Sequence, residues 1–246
     1  MYKRAFKLVR TEIRMLFPAY ILTFAVTVLL GLFSITFLKE LINTLAGYQN
    51  HFNGGVSVDI LFVFLSPCLS IVFLSSPYLS LKTLKEDPFG KRIALFRTMP
   101  VPIKVLTKSR MLLMLITLLI LSTTFYTTIV IGIRDIYHLV FTTQQLVSFL
   151  LFWFGFSLTI GGLNVYIESG TNGKMLYIFS FLYSLTIVSF IIVFNLNTKN
   201  SVVEKVAEWT QQYDWMPSVV MIIIGLLSYN IWGIILQKRL SKRDYL

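Results

Sequence analysis

Residues that hydrolyse, coordinate or couple are sparse in this 246-residue chain, and their spacing excludes most chemistry. A nucleotide-hydrolysing loop needs GxxxxGK[ST], because glycine-flanked backbone amides cradle the phosphates and the lysine reaches the terminal ones. Gly173-Lys174 comes nearest, but Glu168 stands where the first glycine belongs. His51 and His138 form no HExxH zinc pattern. Cys68 is the only cysteine, so neither a disulfide framework nor a thiolate metal site is available, and it reads as a small buried apolar residue. We therefore expect no catalytic residue, no cofactor and no metal on this chain, and a role other than that of an enzyme.

Ion-coupled carriers usually place carboxylates inside the membrane. The apolar stretches identified below contain none, and Glu168 stands only at the edge of one. Their Ser and Thr hydroxyls more often bond back to their own helix. Asn164, Asn195 and Asn230 remain as candidates to line a translocation path. The competing reading is interhelical links worth about 0.6 kcal/mol each.

Two segments outside the apolar stretches have a pattern that points to a partner. In the first 17 residues, Tyr2, Phe6, Val9, Ile13 and Leu16 repeat at helical spacing, with Lys3, Lys7, Arg10 and Arg14 on the other face. Such a helix lies in a membrane interface. Its candidate contacts to lipid phosphates or to a cytoplasmic subunit are Arg4, Phe6, Lys7, Arg10 and Arg14. The second segment is the loop Lys82–Arg110. Asp87-Pro88 is a helix start, a side-chain cap followed by a residue that needs no donor. Pro100 disfavours helix at Met99, so the spacing predicts a helix over roughly Pro88–Met99. Phe89, Ile93 and Phe96 form its stripe, while Lys91, Arg92 and Arg97 point elsewhere. Positive charge on the cytoplasmic side explains the lysines, but neither the cap nor the aromatic stripe. A docking element for a soluble partner explains both.

These segments need a frame, and the composition supplies it. Hydrophobic residues make up 56% of the chain and charged residues 13%, where soluble domains carry roughly 25% charged. Mean hydropathy is +0.74, yet the net charge is +11. Soluble enzymes, disordered tails and disulfide-rich secreted folds are excluded. Six stretches without Asp, Glu, Lys, Arg or His reach the length a bilayer demands: Pro18–Leu38, Ile60–Leu81, Met111–Ile133, Leu146–Ile167, Met175–Leu196 and Trp215–Leu236. Helices satisfy every backbone group within the segment, so an all-α membrane protein of six transmembrane helices is expected. Eighteen of the 22 Lys and Arg fall on one side of these spans, giving that side a net charge of +13 against −2. Both termini are then cytoplasmic. The charged N-terminal segment is no cleavable signal, so the first span is expected to stay as an anchor.

Gly155, Gly161 and Gly162 thin one face of the fourth span, and Pro67 and Pro77 fall in the second. Close packing accounts for the glycines, and the prolines are positioned to kink. Asn53-Gly54-Gly55 signals a turn in the outer segment Lys39–Asp59. In the outer segment 197–214, Val202, Val203, Val206 and Trp209 predict a short capping helix. The whole chain, 1–246, reads as a single transmembrane domain.

The loop between the second and third spans resembles that of ABC-2 type exporter permeases. The resemblance rests on Glu86-Asp87, Gly90, the run Leu95 to Met99, Pro100-Val101 and Lys108. Pro88-Phe89 before Gly90, and Lys91 after it where Thr is commoner, depart from the pattern. The order of an interfacial N-terminal helix, six spans and a small outer helix before the last is also similar. The resemblance implies that 82–110 is a coupling helix seated in a separate cytoplasmic ABC ATPase subunit, through Glu86, Asp87, Phe89, Gly90, Arg92, Ile93, Phe96, Arg97 and Pro100. It implies a dimer with a second copy or a paralogous permease, and Mg-ATP on the partner rather than here. Export follows from the resemblance; a path rich in Phe, Leu and Ile suits amphipathic peptides or other hydrophobic cargo. Membrane lipid is an expected partner and nucleic acid is not. Residue usage, with only six Ala, points to an AT-rich Gram-positive genome and its cell membrane. Two other readings stay open: a six-span anchor or sensor subunit docking a soluble partner, and a passive transporter.

Overall fold

Every regular element is helical among the described residues of the computed structural model, which describes residues 2–48, 54–80, 87–98 and 101–242. In chain order the helices are α1 (Tyr2–Met15), α2 (Phe17–Leu45), α3 (Gly55–Cys68), α4 (Ser76–Leu79), α5 (Pro88–Thr98), α6 (Ile103–Gly132), α7 (Thr143–Gly170), α8 (Gly173–Thr198), α9 (Val202–Tyr213) and α10 (Met216–Lys242). Five of them, α2, α6, α7, α8 and α10, are long and apolar enough to cross a membrane, at 26 to 30 residues each. At about 1.5 Å per residue they reach roughly 40 Å, beyond the ~30 Å hydrocarbon core. This is the architecture of a multi-pass membrane protein. Each helix overruns its uncharged stretch: α6 starts at Ile103 and takes in Lys104, Lys108 and Arg110, and α2 continues past Lys39 and Glu40. Hydrocarbon excludes the charges, but the helix continues into the headgroup layer, where long side chains reach water.

The second apolar stretch departs from a continuous span over Ile60–Leu81. The helix α3 begins at Gly55, widens to π-helical turns over Ile60–Leu65 and stops at Cys68. Turns follow over 69–75, then the four-residue α4; Leu81 lies outside the described residues. Proline is the physical reason. Pro77 has no N–H for the carbonyl four residues back, so a helix cannot run through it, and it takes a first-turn position in α4 instead. Irregular backbone at membrane depth survives only inside protein or along a cavity. Leu69, Ser70, Val72 and Ser75 are accordingly buried.

The pairing of α7 with α10 is the most extensive in the bundle, and glycine permits it. A Cβ on Gly155 would stand 2.7 Å from the Met221 backbone, and one on Gly225 2.8 Å from the Gly155 carbonyl oxygen. Gly162 gives way to Trp232. Hydroxyls close the same seam: Ser228 Oγ donates to the Thr159 carbonyl at 2.8 Å, and Ser148 and Ser218 pair at 3.0 Å. Small residues with hydroxyl links are how membrane helices approach closely. Phe62 centres the apolar core, its ring centroid 5.9, 5.6 and 5.3 Å from those of Phe125, Phe149 and Trp153. By contrast α8 and α10 bury little of their length and turn apolar faces outward, as lipid-facing helices do.

At the end of the bundle away from α1, the capping helix expected in 197–214 is α9. Ser201 and Glu204 form a capping box at its start. Its buried row is Val203, Val206, Ala207 and Thr210, while Trp209 is half exposed. Asp59, fully buried at the base of α3, accepts from the Val202 and Val203 amides at 3.0 and 2.9 Å and from Asn195 Nδ2 at 2.9 Å. A carboxylate at a helix N-terminus answers both the free amides and the helix dipole. Of the turn signal at 53–55, Asn53 lies outside the described residues; Gly54 and Gly55 open α3.

Candidate functional site

The two basic amphipathic segments meet at one end of the bundle. In α1 the residues that pack inward are Ala5, Val9 and Glu12, whereas Tyr2 and Phe6 are exposed. The stripe is therefore split: Tyr2 and Phe6 face outward, Val9 packs inward, and Ile13 and Leu16 are half-buried. Ala5 allows α1 to approach α6 closely, and Glu12 is held there by charge. Arg4, Phe6, Lys7, Arg10 and Arg14 all stay exposed.

The helix expected at 88–99 is present as α5. Asp87 caps it, its Oδ1 accepting from the Gly90 amide at 3.1 Å, with its own backbone in the left-handed region at φ 43°. The stripe turns inward: Ile93 and Phe96 belong to the bundle core, Gly90 is buried, and Phe89 is half-buried with its ring 5.7 Å from Tyr78. What α5 leaves outward is Lys91, Leu95 and Thr98. Glu86 and Pro100, both expected at the coupling site, lie outside the described residues, and so does the Arg97 side chain.

Glu12 is the centre of the site. Its Oε1 accepts from Arg110 Nη1 at 2.8 Å and from Arg92 Nη1 at 3.3 Å. Glu12 is 1% exposed, Arg110 7% and Arg92 29%. The Arg110 guanidinium also lies over the Phe96 ring, 5.5 Å from its centroid. One carboxylate thus ties α1 to α5 and to the base of α6. Beside it is a cavity of about 50 Å³, lined on its polar side by Ser70, Ser75, Tyr78, Arg92, Arg110 and Glu168. That volume holds a few waters. The Tyr78 hydroxyl donates to Glu168 Oε1, joining α4 to the end of α7. Tyr177 of α8 donates to the Ser80 carbonyl at 2.9 Å just beyond.

Above the cavity, the interruption after α3 rests on α7. Asn164 Nδ2 donates to the Pro67 carbonyl at 3.2 Å and to Ser70 Oγ at 2.9 Å, and Ser70 Oγ donates to the same carbonyl at 2.7 Å. Gly161 leaves the room, since a Cβ there would stand 3.0 Å from Ser70 Cβ. Of the three asparagines, Asn164 and Asn195 are thus interhelical links, to the broken helix and to Asp59. Asn230 donates to its own Leu226 carbonyl and stays exposed on α10.

Glu12, Arg110, Tyr78 and Glu168 are absent from the sequence-based site. Glu12 carried a usable signal: it is the only acid in the first 39 residues, set among the five bases of the first 17. Among the described residues no three His, Cys, Asp or Glu side chains come close enough to hold a metal. The arrangement binds elements to one another by charge, and its chemistry is mechanical linkage. Compared with family models, with curated proteins and with solved structures, the chain matches none.

Proposed function

We propose that the chain is the membrane permease half of an ATP-driven exporter in the cell membrane, with both termini cytoplasmic and ATP hydrolysed by a separate subunit. The observation that carries this reading is the buried Glu12 link joining α1, α5 and α6. A loop that only obeyed a charge rule needs neither a capped helix nor a desolvated ion pair at its root. A partner pressing on the outward row Lys91, Leu95 and Thr98 displaces α5, and Glu12 carries that displacement to α1 and α6 together. The buried break after α3 lies beside the same cavity. Two copies, or this chain with a paralogue, would enclose a path for amphipathic peptides or other hydrophobic cargo.

The test is to express the chain with the ATPase encoded beside its gene and purify through the chain. The expected result is a stable complex whose ATP hydrolysis depends on both subunits. Leu95→Asp with Lys91→Glu should abolish complex formation while leaving membrane insertion and the unfolding midpoint unchanged, because both side chains are exposed. Phe96 is a poorer probe, being part of the core. No complex with the wild-type chain refutes the permease reading. Capture of a kinase or scaffold in its place would favour an anchor, and cargo flux without ATP a passive transporter.

A further inference from the structure

The ion triad and the cavity beside it belong to the site already described; a groove on the other side of α6 does not. It runs between the start of α1, the first turns of α6 and the second half of α10, and encloses about 210 Å³. Its polar lining includes Lys108, Gln237 and Tyr2, and its apolar lining Met111, Gly233 and Ile234. The Lys108 ammonium sits 4.1 Å from the Tyr2 ring centroid, which holds it over the groove. Lys108 has no carboxylate partner among the described residues, and no acidic side chain lines the groove. Gln237 makes no hydrogen bond among the described residues. Asn230, seven residues before Gln237 and so about 10 Å away along α10, lines the other end. A second groove of about 240 Å³ on the flank of α1, rimmed by Arg4 and Lys7, extends the positive surface.

We propose that this groove binds an anionic phospholipid, with the phosphate at Lys108 and Gln237 and an acyl chain along Gly233 and Ile234. A cationic, amide-bearing lining beside an apolar strip fits a headgroup followed by a chain. The groove runs along a membrane-crossing helix in the direction a lipid lies. A second copy of the chain is disfavoured by charge: a two-fold contact brings this cationic lining against its own equivalent, cation to cation. Gly233 keeps the groove open, since an added Cβ meets nothing nearer than Met111 Cγ at 3.9 Å. The lipid would brace α1 against α6 from the side opposite Glu12. The proposal rests on the basic end facing the cytoplasmic leaflet, where anionic headgroups attract juxtamembrane cations.

The experiment is native mass spectrometry of the full chain in mild detergent, titrated with phosphatidylglycerol or phosphatidylcholine. The wild-type chain should retain phosphatidylglycerol several-fold better, and rising salt should erase that preference. Lys108→Gln should lower retention roughly five-fold, as expected for one cation at a charged surface, and Lys108→Arg should restore it. Gly233→Leu, which has room to fit, should remove both lipids without lowering the unfolding midpoint. Equal retention of the two lipids by the wild-type chain overturns the proposal, and the salt series reads this without any variant. Unchanged retention in Lys108→Gln also overturns it. So does a Gly233→Leu chain that keeps its lipid but changes oligomeric state, which would make the groove an interface between copies. The readout uses no ATPase, so lipid indifference and failure to form the ATPase complex are separate results.

Discussion

Replacing Glu12 by Gln tests whether the buried ion pair holds the basic end together. The substitution keeps the shape and one acceptor oxygen but removes the charge facing Arg110, which is 7% exposed, and Arg92, which is 29% exposed. Stranding one partner of a buried pair costs 3–5 kcal/mol, and the retained acceptor places this case near about 3 kcal/mol. Nearly all of that belongs to Arg110, because an ion pair as exposed as that of Arg92 contributes ~1 kcal/mol or less. For a chain of this length each kcal/mol moves the unfolding midpoint by about 2–4 °C, so a fall of roughly 6–12 °C is expected. The assay is thermal unfolding of the purified chain in detergent. Glu12 Oε2 is buried with no hydrogen-bond partner among the described residues, so the pair is incompletely compensated. Removing both charges with Glu12→Gln and Arg110→Met should therefore recover most of the loss. A Glu12→Gln midpoint indistinguishable from wild type, or a double variant no better than the single one, refutes the reasoning.

Four further outcomes are expected. Asn164→Ala removes the two donations that satisfy the end of α3, while Ser70 Oγ still serves the Pro67 carbonyl; a loss of about 1–2 kcal/mol should appear in the same thermal assay. Gly155→Ala drives a Cβ against the Met221 backbone and should separate α7 from α10, destabilising the chain far more than Gly233→Ala, whose Cβ has space. Asp59→Asn turns an acceptor into a donor against the amides of α9; hydrogen exchange should accelerate at Val202 and Val203 and leave α6 protected. Glu204 is held above the ordinary carboxyl range by burial first, with Glu208 and Asp59 adding and the Ser201 amide and Lys205 opposing. A raised acid favours its neutral form in the fold, so the ionised group lowers stability once pH exceeds the unfolded value of about 4.3. Glu204→Gln, which keeps the capping oxygen, should unfold at higher temperature than wild type near pH 7, with the gap closing as pH falls toward 4.

Much of the frame was legible because hydrocarbon imposes a one-dimensional rule. Uncharged runs of about 20 residues must be helical, so five of the six stretches match long helices, each extended by up to eight residues at one or both ends. The cap at Asp87 was equally local: a side-chain acceptor before proline answers to its own backbone, and the bond to Gly90 follows. The second stretch was not legible as a break. Hydropathy counts apolar residues, and the turns over 69–75 are as apolar as a helix; the Pro67 carbonyl is met locally by Ser70 and, from another element, by Asn164.

What the sequence determined by itself is therefore the five long helices, the asymmetry of charge and the absence of a hydrolytic motif, because each is a property of neighbouring residues. What only the tertiary structure decided is which way amphipathic faces turn and which charges meet. The stripe of α5 turned into the bundle, leaving Lys91, Leu95 and Thr98 outside. Glu12, which carries no role in the sequence-based reading, meets an arginine 98 residues further along. Such pairing is set by desolvation: a charge driven inside by packing must find its opposite there, and the spacing of residues along the chain carries no record of that distance.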